Sequence, residues 1–119
     1  MIDHVGLKVK DLARSVRFYE AALAPLGYVL CAHDSTSAGF GPKDAPALWL
    51  YASDTVTTTA HLALRASDRR AVDRFHAAGV DTGGRDHGAP GVRADYAPNY
   101  YAAFLLDPDG HNVEAVCME

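Results

Sequence analysis

The feature that most limits how this chain folds is an internal repeat. Residues 61–78 align with residues 4–21 without a gap, and six of the eighteen positions are identical: His4/His61, Leu7/Leu64, Asp11/Asp68, Arg17/Arg74, Phe18/Phe75 and Ala21/Ala78. Chance supplies about one identity at ordinary composition. Any two amphipathic strand–helix units share an apolar position and a capping aspartate. They do not ordinarily share a histidine inside a strand. The chain therefore reads as two copies of one strand–helix–strands unit, with modules at about 1–59 and 60–119 of a single domain.

Taken in order, Ile2 to Val9 alternates apolar and polar residues, the period of a half-buried strand. Asp11 caps a helix reaching about Leu23, with Leu12, Val16, Tyr19 and Leu23 at helical spacing. Pro25 and Gly27 end it. Strands follow at 28–31, 38–41 and 47–51, and the polar, threonine-rich stretch Ser53 to Thr59 links the halves. His61 to Ala66 then alternates like the first strand. Asp68 caps a second helix to about Ala78, which Gly79 is expected to stop. Val80 to Asp95 is glycine-rich, holds at most one short strand and reads as a mobile loop or lid. Tyr100 to Leu106 is a strand. Asp107-Pro108-Asp109-Gly110 is a turn, with proline presetting one backbone angle and glycine supplying a positive one. Asn112 to Cys117 is the return strand.

Each helix must pack on one face of its module. Val5, Leu7 and Val9 suit that face, as do Leu62, Leu64, Val113, Ala115 and Cys117. Period two then sends His4, His61 and Glu114 to the opposite, concave side. Two imidazoles and a carboxylate on a rigid sheet form a divalent-metal site of the facial-triad type, with coordination positions left open. That donor set suits Fe, Mn, Ni, Co or Zn. The bland alternative makes the histidines satisfied interior residues and pairs Glu114 with Arg65.

The motifs Asp3-His4-Val5-Gly6-Leu7, Asp11-Leu12, Ser15 through Phe18-Tyr19, His61, and Phe104 through Asp107-Pro108-Asp109-Gly110-His111-Asn112-Val113-Glu114 resemble the vicinal oxygen chelate superfamily. Glyoxalase I, bleomycin-resistance proteins and extradiol dioxygenases belong to it. The resemblance covers essentially the whole chain. It implies an α+β fold of two βαβββ modules forming a cupped, incomplete mixed β-barrel with the helices outside. It places metal ligands at His4, His61 and Glu114, and it implies a homodimer. Glyoxalase I adds a fourth ligand on the last strand of the first module; Trp49 or Leu50 stands there, and neither binds metal. Extradiol dioxygenases place an acid–base tyrosine where this chain has Phe104, which leaves Tyr100 and Tyr101 as displaced candidates. Bleomycin-type binders use aromatic walls, for which Trp49 and Tyr51 are candidates.

Arg65, Arg93, Tyr96 and Phe104 are further candidates for the substrate pocket. Arg65 also fits a salt bridge, and Arg93 a solvated loop position. His111 in the hairpin turn, and His33 and His76, read as surface residues; His87 reaches the metal only if its loop folds inward. Cys117 is expected to pack rather than react. The net charge of −4 and the absence of a basic run argue against nucleic acid. No apolar run approaches the ~18 residues of a spanning helix, which argues against a membrane. With no signal-like start and only Cys31 and Cys117, the expectation is a cytoplasmic protein with reduced thiols. The favoured function is a metal-dependent lyase, isomerase or dioxygenase acting on an oxygen-chelating small molecule, not a typical four-ligand glyoxalase I. The alternative is a non-catalytic small-molecule binder.

Overall fold

A computed structural model describes all residues 1–119. The order of elements is β1 (Val5–Val9), α1 (Leu12–Leu23), a 3-10 turn (Ala24–Leu26), β2 (Val29–His33), β3 (Ser37–Gly41), β4 (Leu48–Ala52), β5 (His61–Arg65), α2 (Arg69–Asp81), β6 (Arg85–Val92), β7 (Tyr101–Leu106) and β8 (Asn112–Cys117). Both helices start where a capping aspartate predicts. Asp11 accepts from the Arg14 N–H at 3.1 Å and Asp68 from the Ala71 N–H at 2.7 Å.

The modules repeat in topology as well as in sequence. Each forms a four-stranded mixed sheet, ordered β1-β4-β3-β2 and β5-β8-β7-β6, and the two sheets are not closed into a barrel. In each, the first strand lies parallel to the last. Gly6 pairs with Trp49 and Lys8 with Tyr51 in the first sheet; His61 pairs with Asn112 and Ala63 with Glu114 in the second. The faces divide as period two dictates. Val9, Leu48, Leu50, Val113 and Ala115 are buried beneath the helices with Phe18, Tyr19 and Phe75, in one continuous cluster drawn from both modules. Each of those large side chains contributes about 1.5–3 kcal/mol by leaving water. No helix is long and apolar enough to cross a membrane.

The hairpin between β7 and β8 ties the modules together. Asp107, 1% exposed, accepts the Tyr19 hydroxyl at 2.6 Å from the other module and the His111 and Asp109 N–H groups at 2.9 Å each. Burial and the Asp107 carboxylate together hold the Tyr19 phenol well above its usual range. Lys10 donates its N–H to Asp109 at 3.1 Å. His111 is buried at 3% exposure, contrary to the surface position expected of a turn residue. Its Nδ1 accepts from the Ala60 N–H at 3.0 Å and its Nε2 donates to the Lys8 carbonyl at 2.9 Å. Strand phase cannot foresee this, because the turn folds onto the neighbouring module instead of projecting into water.

Three other expectations are corrected. The glycine-rich stretch after α2 is not a loose lid. It carries β6, an eight-residue strand paired along β7, with register shifts near Gly88 that let it bend. α2 runs through Gly79 to Asp81 rather than stopping at the glycine. Gly79 serves packing: a Cβ there would stand 2.2 Å from Leu105 Cδ1 and 3.2 Å from Phe18 Cε1. Gly79→Ala should therefore cost about 1–3 kcal/mol through overpacking, although alanine is the better helix former by about 1 kcal/mol. Urea denaturation decides between them; unchanged or raised stability would mean that the Leu105 contact yields freely. Finally, His76 is not a free surface residue. Its Nε2 lies 2.8 Å from Asp86 Oδ1 with only 16% of its side chain exposed, and this contact holds the Asp86 carboxyl below its usual range.

Candidate functional site

The concave face of the second sheet brings a histidine and a glutamate together. His61 opens β5 opposite Asn112, and Glu114 sits two residues further along β8, both on the side turned from α2. The His61 Nε2 atom lies 3.1 Å from Glu114 Oε1. The other carboxylate oxygen, Oε2, accepts the Tyr100 hydroxyl. Glu114 is 2% exposed, whereas half of the His61 side chain faces solvent. No lysine or arginine lies within ion-pair reach of this carboxylate; the only ion-pair contacts in the chain involve histidines. A buried carboxylate so poor in counter-charge, with an imidazole nitrogen beside it, is a donor set that fits a divalent cation.

Tyr100 is the phenol that reaches Glu114. That hydrogen bond, reinforced by desolvation and by the carboxylate's charge, pushes it up to about 12. An unfolded tyrosine ionises near 10, so the stability from this bond is complete below about pH 10 and is lost as the pH rises through about 12. In an ultraviolet difference titration of wild type against Tyr100→Phe, the missing phenol should ionise near 12, and Glu114→Gln should draw it back towards 10. A difference transition near 10 in the wild type would mean that the bond is not held in solution.

Tyr101, the other candidate phenol, points away. Its hydroxyl donates to Asp73 on α2 at 2.6 Å, and the Arg69 guanidinium lies over its ring at 4.9 Å. Phe104 pairs with Glu114 across the β7–β8 ladder, and its ring stacks on His61 at 6.3 Å between centroids. Tyr96 is exposed and meets Tyr100 edge-to-face at 5.1 Å. A cavity of about 270 Å³ opens beside this group, lined by His87, Gly88, Arg93, Tyr96, Phe104 and Asn112. His87 thus faces the cleft because β6 carries it there. Arg65 is exposed on the far end of β5, near Cys117 and Glu119, and makes no ion pair with Glu114.

His4 is not part of this group within one chain. Its Nδ1 lies 2.6 Å from Asp3 Oδ1, both residues are exposed, and it edges a mostly apolar cavity with Val5, Leu62 and Leu64. No three His, Cys, Asp or Glu side chains converge anywhere in the chain. Lys8, near the end of β1, is held by His111 close to Ala60, at the start of β5. His4, at the start of β1, is beside Leu62 and Leu64. β1 and β5 therefore pass in opposite directions, which separates the two repeated histidines. On the first sheet, Trp49 and Tyr51 stack at 6.4 Å and 14° between planes. They lie over Gly39 and Gly6, where a Cβ would stand 2.9 Å and 2.7 Å from the rings.

Asn112 was not foreseen as a site residue. Its Oδ1 is buried without any hydrogen-bond partner. In the sequence it shares the face of β8 that carries Glu114, and only its unpaired oxygen and the neighbouring cavity single it out.

The comparisons with known proteins agree with this architecture. The family described as Glyoxalase/Bleomycin resistance protein/Dioxygenase superfamily matches residues 1–115. A glyoxalase/bleomycin resistance protein from Albidiferax ferrireducens is similar at a TM-score of 0.82 and 29% identity, over 96% of this chain and 95% of that one. A mutant of glyoxalase I from Zea mays is similar at a TM-score of 0.71 and 30% identity, over 95% of this chain but only 44% of that one. A glyoxalase/bleomycin resistance protein/dioxygenase family enzyme from Burkholderia phytofirmans, 17% identical with a TM-score of 0.76, shares the fold. No curated protein matches the chain. A duplicated module, two mixed sheets with the first strand parallel to the last, and a family match over nearly the full length lead to one conclusion: the chain belongs to the glyoxalase/bleomycin resistance protein/dioxygenase superfamily.

Proposed function

We propose that this protein is a divalent-metal-dependent enzyme of the lyase, isomerase or dioxygenase type, acting on a small molecule with adjacent oxygens. The observation that carries the reading is the buried Glu114 carboxylate, with His61 Nε2 at 3.1 Å and no basic side chain to balance it. His61 and Glu114 would hold the ion, and His4 of a second copy would supply the third ligand in a symmetric homodimer. His4 is exposed, and with its Nδ1 beside Asp3 its Nε2 is the nitrogen open to a neighbour; the concave positions Tyr51, His61 and Ala63 are likewise exposed in the single chain. An ion bound there would act as a Lewis acid towards substrate oxygens. Around it, Tyr100 fixes the Glu114 carboxylate by donating a hydrogen bond to Oε2. Phe104 covers one side of His61.

Metal analysis of protein purified without chelator, together with its mass in solution, tests this. A dimer with about one divalent ion per chain is expected. A protein that retains none of Fe, Mn, Co, Ni or Zn after incubation with each would sink the reading. The stacked pair of half-buried Trp49 and exposed Tyr51 favours a second reading, a non-catalytic binder of flat apolar molecules. That reading requires ligand binding that survives loss of Glu114, without turnover.

A further inference from the structure

We propose that the cleft between β6, β7 and the start of β8 binds a small aromatic carboxylate that also carries a hydroxyl or N–H group. The inference rests on the proposed function only in treating this cleft and the His61–Glu114 pair as one site. Three observations converge on it.

The first is a seated, unpaired cation. Arg93 donates from Nη1 to the Gly91 carbonyl at 3.0 Å and from Nη2 to the Ala89 carbonyl at 2.7 Å, and its guanidinium lies 5.4 Å from the Phe104 ring centroid. These contacts fix its plane. Gly88 and Gly91 make the space for it: a Cβ at either would stand 3.2 Å from a guanidinium nitrogen. No carboxylate of the chain pairs with it. An arginine has five N–H groups in a fixed fork, so a pre-oriented one with donors to spare matches a carboxylate.

The second is the orphaned acceptor. Asn112 Oδ1 is buried with no partner, and the Asn112 side chain that carries it lines the same cavity. A buried acceptor left unpaired is costly, and a ligand that brings it a donor removes that cost. Discrimination against ligands lacking the donor is the expected result. The third is the wall chemistry. Phe104 and Tyr96 offer aromatic surface on the same cavity of about 270 Å³, which suits a flat ring.

Binding of benzoate, 3-hydroxybenzoate and 4-hydroxybenzoate to chelator-stripped protein, measured by calorimetry, tests this apart from the metal. Benzyl alcohol serves as the uncharged control. The benzoates should bind at least about 10-fold more tightly than benzyl alcohol, in line with one charge-assisted bidentate contact. Arg93→Met should abolish that preference while leaving benzyl alcohol unaffected. One hydroxybenzoate should bind more tightly than benzoate, and Asn112→Leu should erase the difference. Circular dichroism of each variant establishes that it is folded. Equal binding of benzoate and benzyl alcohol, an unchanged Arg93→Met, or no binding of any benzoate overturns the inference. Metal retained with indifference to the carboxylate overturns this inference alone; a carboxylate preference through Arg93 in a protein that never retains metal overturns only the proposed function.

Discussion

Glu114→Gln should leave the fold intact and lower divalent-metal affinity by more than about 100-fold, with turnover falling at least as far. The size follows from the position. Partners that merely orient a ligand are worth about 10–100-fold, and Glu114 would be a ligand itself. Glutamine keeps the shape and can still accept the Tyr100 hydroxyl, so the hydrogen bond survives while the charge goes. The buried carboxylate has no lysine or arginine beside it, so neutralising it strands no cationic side chain, and thermal stability of the metal-free protein should hold or rise. Titration of metal into both proteins, followed by calorimetry, gives the ratio. Equal affinities would remove Glu114 from the ligand set and leave the binder reading in possession. A fall in Tm of the metal-free variant would assign the carboxylate a structural role.

The second large effect belongs to stability. Asp107→Ala should cost about 3–5 kcal/mol, because it strands three donors at once: the Tyr19 hydroxyl and the N–H groups of Asp109 and His111. For a chain of this length that is a Tm loss of roughly 10–20 °C. Tyr19→Phe removes only one donor and should cost about 1–2 kcal/mol, since it leaves Asp107 its two backbone partners. The contrast separates the hairpin's own turn from the cross-module bond. If both variants lose the same amount, the backbone bonds of Asp107 contribute little, and the Tyr19 contact alone joins the modules.

Much of the fold could be read from the chain because its signals are local and repeated. The duplicated strand–helix start, the two capping aspartates and the alternation of β1, β5 and β8 located both modules and both faces. The same alternation put His61 and Glu114 on one side of neighbouring strands, where they are found 3.1 Å apart. What could not be read depends on how distant segments meet. Period two assigns His4 to the concave face but does not say which cavity that face encloses, and the opposed run of β1 and β5 parts it from His61. Tyr100 and Tyr101 are neighbours in sequence; only the ladder register shows that one reaches Glu114 and the other Asp73. The glycines of β6 read as looseness, yet two of them make room for Arg93 and allow the strand to bend. His111 looks like turn punctuation until the neighbouring module closes over it.

The parallel pairing of each first strand with its module's last strand also orders how the protein comes together. β2, β3 and β4 are antiparallel neighbours in sequence, as are β6, β7 and β8, and such local hairpins close quickly. β1 and β5 must wait for strands made almost a full module later, with a loop-closure cost that local pairs avoid. His61 and Glu114 ride on one such late pair. During synthesis, a nascent second module that ends before β8 has its hairpin and helix but no carboxylate beside the imidazole. Binding of a divalent ion at this position would therefore report a finished module and not a folding intermediate.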